Sequence, residues 1–110
     1  MNDTDCVLVM TTLPDQADAV TFAHTLVESR LAACVNLLAG MESVYRWEGA
    51  VERERERQLV IKTTRGRIVA LWERVRELHP YDVPEFIVLP IVDGNDAYLR
   101  WVGESTRISE

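Results

Sequence analysis

The sequence predicts an α+β sandwich: an antiparallel sheet with two helices laid across one face. Three observations carry this. Two segments repeat apolar residues at helical spacing, four segments read as strands, and the two kinds follow one another in the order βαββαβ. The whole of residues 1–110 is expected to form a single domain, since this length supports one core and not two.

The first strand is CVLVMTT, Cys6 to Thr12, a short apolar run. Pro14 and Asp15 are expected to open the first helix, because proline suits the first turn and a carboxylate suits the positive end of the helix dipole. Ala19, Phe22, Ala23, Leu26 and Val27 then make one face, ending near Arg30. Ala32 to Trp47 reads as a long strand with a bulge or bend at Gly40, and Glu48-Gly49 as a tight turn. The return strand runs from Val51 to Thr63. Its alternation sets Glu52, Glu54 and Glu56 on one face and Arg53, Arg55 and Arg57 on the other.

A second helix is expected from about Arg65 to His79, with Ile68, Leu71, Trp72, Val75 and Leu78 as its stripe. Pro80 ends it by pushing the preceding residue out of the α region. EFIVLPIV, Glu85 to Val92, is the last strand. Gly94-Asn95 leads into a short C-terminal helix carrying Tyr98, Leu99, Trp101 and Val102 and ending near Gly103. This order defines a ferredoxin-like sandwich with a long central hairpin. In its usual strand order Cys6 and Cys34 lie two strands apart, roughly 9–10 Å, which is beyond disulfide reach.

Two features argue against a lone subunit. Strands of about 15 residues reach roughly 45–50 Å, whereas a helix of that length spans only ~22 Å, so the hairpin must overhang its helical cover. In addition, Val7-Leu8-Val9-Met10 and Phe86-Ile87-Val88-Leu89 are apolar on both faces of a sheet that has helices on only one. Copies of the same chain are the expected cover, with the hairpin wrapping a neighbour. A turn at Glu48-Gly49 would put Glu42 opposite Arg55.

The net charge is −6, with 47% hydrophobic and 27% charged residues. A nucleic-acid partner needs a basic face, and an anionic membrane surface is disfavoured for the same reason. The acidic start and the lack of a long apolar run point to a cytoplasmic protein with reduced thiols. For catalysis, no phosphate loop and no hydrolase serine elbow is present, and Cys34 lies in an apolar run where a thiol resists ionising. TTLPDQA, after the first strand, lacks the arginine that an acylphosphatase-type loop would need.

ELHPYDVPEF, residues 77–86, concentrates the uncommon side chains. His79, Asp82 and Glu85 could gather nitrogen and oxygen ligands for copper or zinc round a rigid bend. The plainer reading is a helix-to-strand corner stiffened by Pro80 and Pro84, and the spacing alone favours the corner.

LAACVNL (31–37), SVYRWEG (43–49), LVIKTT (59–64), HPYDVPE (79–85) and GNDAYLRW (94–101) together resemble the CutA family of divalent-cation tolerance proteins. The likeness implies a ferredoxin-like subunit in an intertwined homotrimer, akin to the PII signalling trimers. It also implies tolerance of copper and other divalent cations, copper binding in some members, and no accepted enzymatic reaction. Animal relatives are linked to anchoring a membrane-associated cholinesterase. Some relatives carry a cysteine at the end of the first strand and paired histidines before Pro-Tyr. Here Thr11 and Leu78 stand in those places and only His79 matches. The resemblance therefore suggests His79 and Glu85 as metal-contacting residues, with Tyr45, Trp47, Lys62, Tyr81 and Trp101 lining or bracing a ligand cleft between subunits. The expectation is a trimeric binding or signalling protein with weak, non-obligatory divalent-cation binding. The alternative is a structural or protein-interaction trimer with no specific metal role.

Overall fold

Nine antiparallel pairs join Cys6–Pro14 (β1) to the second half of Ala50–Thr64 (β4), and these two strands form the centre of the sheet. The computed structural model describes residues 4–38 and 40–108. Cys34–Leu37 (β2) pairs with β4 on its far side, and Ile87–Pro90 (β5) pairs with β1, giving the order β2-β4-β1-β5. Met41–Trp47 (β3) pairs with the first half of β4. The helices are Ala19–Glu28 (α1), Ile68–Leu78 (α2) and Asp96–Ser105 (α3). The expected α+β order and antiparallel sheet are thus present.

One face of the sheet makes the core. Val7, Val9 and Leu13 of β1 and Leu59 and Ile61 of β4 meet Phe22 and Leu26 of α1 and Leu71 and Val75 of α2. Burying each such aliphatic side chain contributes about 1.5–3 kcal/mol.

The helix ends differ from expectation for local reasons. Pro14 still pairs with Glu56 in the sheet, and the Asp15 N–H donates to the Arg55 carbonyl at 3.1 Å. The helix therefore starts later, where Asp18 accepts the Thr21 N–H at 3.0 Å and the Thr21 hydroxyl at 2.7 Å. Those bonds hold the Asp18 carboxyl below its ordinary range. Val27 lies outside the buried face of α1 at 41% exposed. A single 3-10 turn, Arg65–Arg67, precedes α2, and His79 is its cap, not its last residue.

The long strand expected from Ala32 to Trp47 is interrupted. Leu37 pairs with Leu59 and Met41 with Glu56, so residues 38–40 stand opposite only residues 57 and 58. That extra residue is a bulge, with Gly40 in it; Ala39 lies outside the described residues. A Cβ at Gly40 would come within 3.3 Å of the Arg55 guanidinium and the Asp15 carboxylate. At the tip, Glu48 (φ 48) and Gly49 (φ 80) are both left-handed, as a type I′ turn requires.

β1 ends opposite Glu56, so beyond the Met41–Glu56 pair β3 and residues 50–55 continue as a two-stranded ribbon, and the molecule is 45 Å long against 26 and 23 Å. Glu42 does lie opposite Arg55. Its ion pair, however, runs diagonally to Arg53 at 3.9 Å, while Arg55 turns to Asp15 at 3.6 Å.

The second sheet face is only partly covered. Val102 of α3, with Leu99 and Ile91, packs on Cys6 and Ala33 at one end. Burial pushes the Cys6 thiol up, with Asp5 adding to the effect. Cys6 and Cys34 are free thiols with β4 between their strands. Beyond α3, Leu8, Met10 and Val60 remain half-buried, and beside them Ile87 and Leu89 are 48% and 40% exposed. β5 is shorter than the expected Glu85–Val92 and forms an edge of the sheet. No described helix is long and apolar enough to cross a membrane.

Candidate functional site

Pro80 forces His79 out of the helix into extended backbone (φ −79, ψ 135), and this swings the imidazole under the following residues. The ring is 8% exposed, with Phe22 edge-on at 6.3 Å and Tyr81 at 4.9 Å. Nδ1 accepts the Tyr81 N–H at 3.1 Å, so the ring proton belongs on Nε2, which donates to the Thr12 carbonyl at 2.6 Å. Nε2 therefore ties the corner to β1, and Nδ1 holds the backbone of the corner itself.

Burial holds the His79 pKa below its ordinary 6.5, outweighing the Thr12 carbonyl and Glu56, which act the other way. A second proton would have to sit on Nδ1, against the Tyr81 N–H. The unfolded chain takes up that proton near pH 6.5 and the folded one only at lower pH. The stabilisation is therefore complete above about pH 6.5 and lost as pH falls toward the folded value. Thermal melts from pH 7.5 to 5 should show a midpoint that falls more steeply in the native protein than in His79→Gln. Parallel slopes would reject the assignment.

Two further ties fix the corner. The Tyr81 hydroxyl donates to Glu56 Oε2 at 2.8 Å, and Glu56 is itself only 7% exposed. Burial, this bond and the Glu56 charge push the Tyr81 pKa far above that of a free phenol. The Gln58 amide donates to the Thr11 carbonyl at 2.8 Å and to Glu85 Oε2 at 3.0 Å.

These contacts leave a cleft of about 400 Å³ at the root of the overhanging hairpin. β3 supplies Tyr45 and Trp47, β4 supplies Glu56, and the corner supplies Tyr81, Asp82 and Glu85. Tyr45 ionises less readily than a free phenol, through lost hydration and the charges of Glu54, Glu56 and Glu52. His79 stands behind the wall as a brace. Lys62 and Trp101 lie apart from the cleft in this subunit. The Lys62 ammonium is 5.7 Å from the Tyr98 ring, and that ring packs on Trp101 at 5.4 Å, beside α3.

Glu56 is the cleft residue that sequence reasoning passed over. Glu52, Glu54 and Glu56 look alike in VERERER, but only Glu56 lies alongside β1, where the sheet is wide enough to bury it. Its place as the last glutamate before the apolar run LVI was the available signal.

The donors do not form a tight metal shell within one subunit. Among the described residues no three or more His, Cys, Asp or Glu side chains are grouped to hold an ion. To bind one, His79 would have to release the backbone bond on the ligating nitrogen, and Glu56 and Glu85 already accept hydrogen bonds.

The fold and site define a class: a small α+β subunit with an extended β hairpin and an aromatic, acidic cleft at its root. Residues 7–105 match the family model described as CutA1 divalent ion tolerance protein. A Thermus thermophilus relative described as divalent-cation tolerance protein CutA is 50% identical over 99 residues, covering 90% of this chain and 96% of that one. The crystal structure of CutA1 from Oryza sativa superimposes with a TM-score of 0.90 at 44% identity, over 96% of this chain and 99% of that one. The Thermus thermophilus structure gives 0.89 at 48%, over 93% and 99%. The chain belongs to the CutA1 divalent ion tolerance family. None of these descriptions names an enzymatic activity.

Proposed function

We propose that this chain is a non-enzymatic, cytoplasmic binding protein of divalent-cation tolerance that works as a homotrimer, with the cleft at the hairpin root as its ligand site. The observation that carries self-association is the uncovered sheet face, Leu8, Met10, Val60, Ile87 and Leu89, next to a hairpin whose outer part has only its own two strands as ladder partners. The resemblance to the family supports a count of three.

Divalent cations bind weakly on this reading. Asp82 and Glu85 supply the charge and His79 holds the corner that presents them. Copper and zinc are the ions to test. Calorimetric titration with each should give a dissociation constant between about 10 μM and 1 mM; a value weaker than about 1 mM, roughly −4 kcal/mol, leaves the trimer with a structural or protein-interaction role instead. Glu85→Ala should weaken the binding severalfold while sedimentation still reports the same oligomer. Unchanged affinity would remove Glu85 from the site.

A further inference from the structure

The cleft has three aromatic walls, Tyr45, Trp47 and Tyr81, and three carboxylates, Glu56, Asp82 and Glu85, and no lysine or arginine lines it. We propose that its ligand is a small organic cation, an alkylammonium or alkylguanidinium group, held over the aromatic faces with its charge toward Glu56. This rests on the reading of the cleft as a ligand site and names what the site takes.

Glu56 makes the strongest case. It is 93% removed from solvent by its 7% exposure, yet among the described residues its side chain receives a single neutral hydrogen bond, from the Tyr81 phenol, and no ion pair. Buried carboxylates are ordinarily matched by a cation, because losing hydration without one is costly. The bases on its own strand do not supply it: Arg53 pairs with Glu42, Arg55 with Asp15, and the Arg57 guanidinium donates to the Leu38 carbonyl at 3.2 Å. The position is left for a cation from outside the chain.

The aromatic walls say which kind. A bare divalent ion needs several oxygen or nitrogen donors close together, and among the described residues no three His, Cys, Asp or Glu side chains are so grouped. A cation with an apolar body gains from both features at once. Its carbon chain covers Tyr45 and Trp47, which are 39% and 44% exposed, and its charge sits against ring faces and a carboxylate. At about 400 Å³ the cleft has room for such a molecule.

The test uses the purified oligomer and four probes with similar alkyl chains: n-butylguanidinium, n-butylammonium, butan-1-ol and butyrate. Binding is followed by calorimetry and by Trp47 fluorescence, with Trp101 and Trp72 replaced by phenylalanine in a reporter background. The two cations should bind at least tenfold more tightly than the alcohol or the carboxylate. Glu56→Gln, which keeps the acceptor for Tyr81, and Trp47→Leu should each weaken the cations by about tenfold with sedimentation unchanged. Equal binding of all four probes, or cation binding untouched by both substitutions, overturns the proposal. So does binding of none, the outcome expected if a basic side chain of a neighbouring copy already fills the cleft. An oligomer that still takes up zinc weakly while ignoring both organic cations overturns this inference alone and leaves the broader function standing.

Discussion

Leu89→Lys is expected to break the assembly into monomers, read by sedimentation velocity at about 10 μM. Leu89 lies on β5, level with Leu8 of β1 and next to the Ile87–Met10 pair, on the sheet face that the helices α1 and α2 do not reach. If a second copy covers this face, the substitution buries an ammonium among aliphatic side chains with no carboxylate to meet it. Such an uncompensated charge costs about 3–5 kcal/mol per site, and the proposed symmetric trimer would incur it three times. Val92→Lys is the control: Val92 is 92% exposed just beyond the strand, and its variant should sediment as the native protein does. A Leu89→Lys protein that kept the native protein's oligomeric state would mean that this face is not the interface.

Leu71→Ala should lower unfolding free energy by about 3 kcal/mol, whereas Leu78→Ala should cost less than about 1 kcal/mol. Both leucines belong to the same helical stripe in the sequence. Only Leu71 is fully buried, packed between the sheet and α1; Leu78 is 37% exposed at the last turn. Denaturant titration followed by circular dichroism, at matched protein concentration, distinguishes them. Equal losses would show that the end of α2 is covered in the assembly. That result would place the corner at a subunit boundary.

Element order was legible because each element carries its own local signal. Helical spacing in IVALWERVREL, the Glu48-Gly49 turn and the proline after His79 each constrain the backbone within a few residues. The ends were less legible. Whether Pro14 closes a strand or opens a helix depended on its sheet neighbour Glu56, more than forty residues away. Likewise β5 shrank to Ile87–Pro90 because only that stretch finds β1 beside it.

For the candidate site, HPYDVPE marked the corner and VYRW marked the wall, since proline, tyrosine and tryptophan are conspicuous wherever they stand. The sequence suggested ligand chemistry for His79, but the fold engages both its nitrogens with backbone, one at Tyr81 within the corner and one at Thr12 of β1. Lys62, expected at a cleft between subunits, faces Tyr98 of α3 within its own subunit, since it lies on the sheet face and at the end where that helix packs.

By itself the sequence determined the alternation of helices and strands, the hairpin and its turn, and an excess of apolar β surface, all properties of residues near one another along the chain. Only the tertiary structure decided that one glutamate of three is buried, that a histidine serves as a brace, and that aromatic and acidic groups from β3, β4 and the corner share one cleft. The reason is physical: burial and unmatched charge depend on which distant strands lie alongside a residue, and local periodicity carries no record of those neighbours.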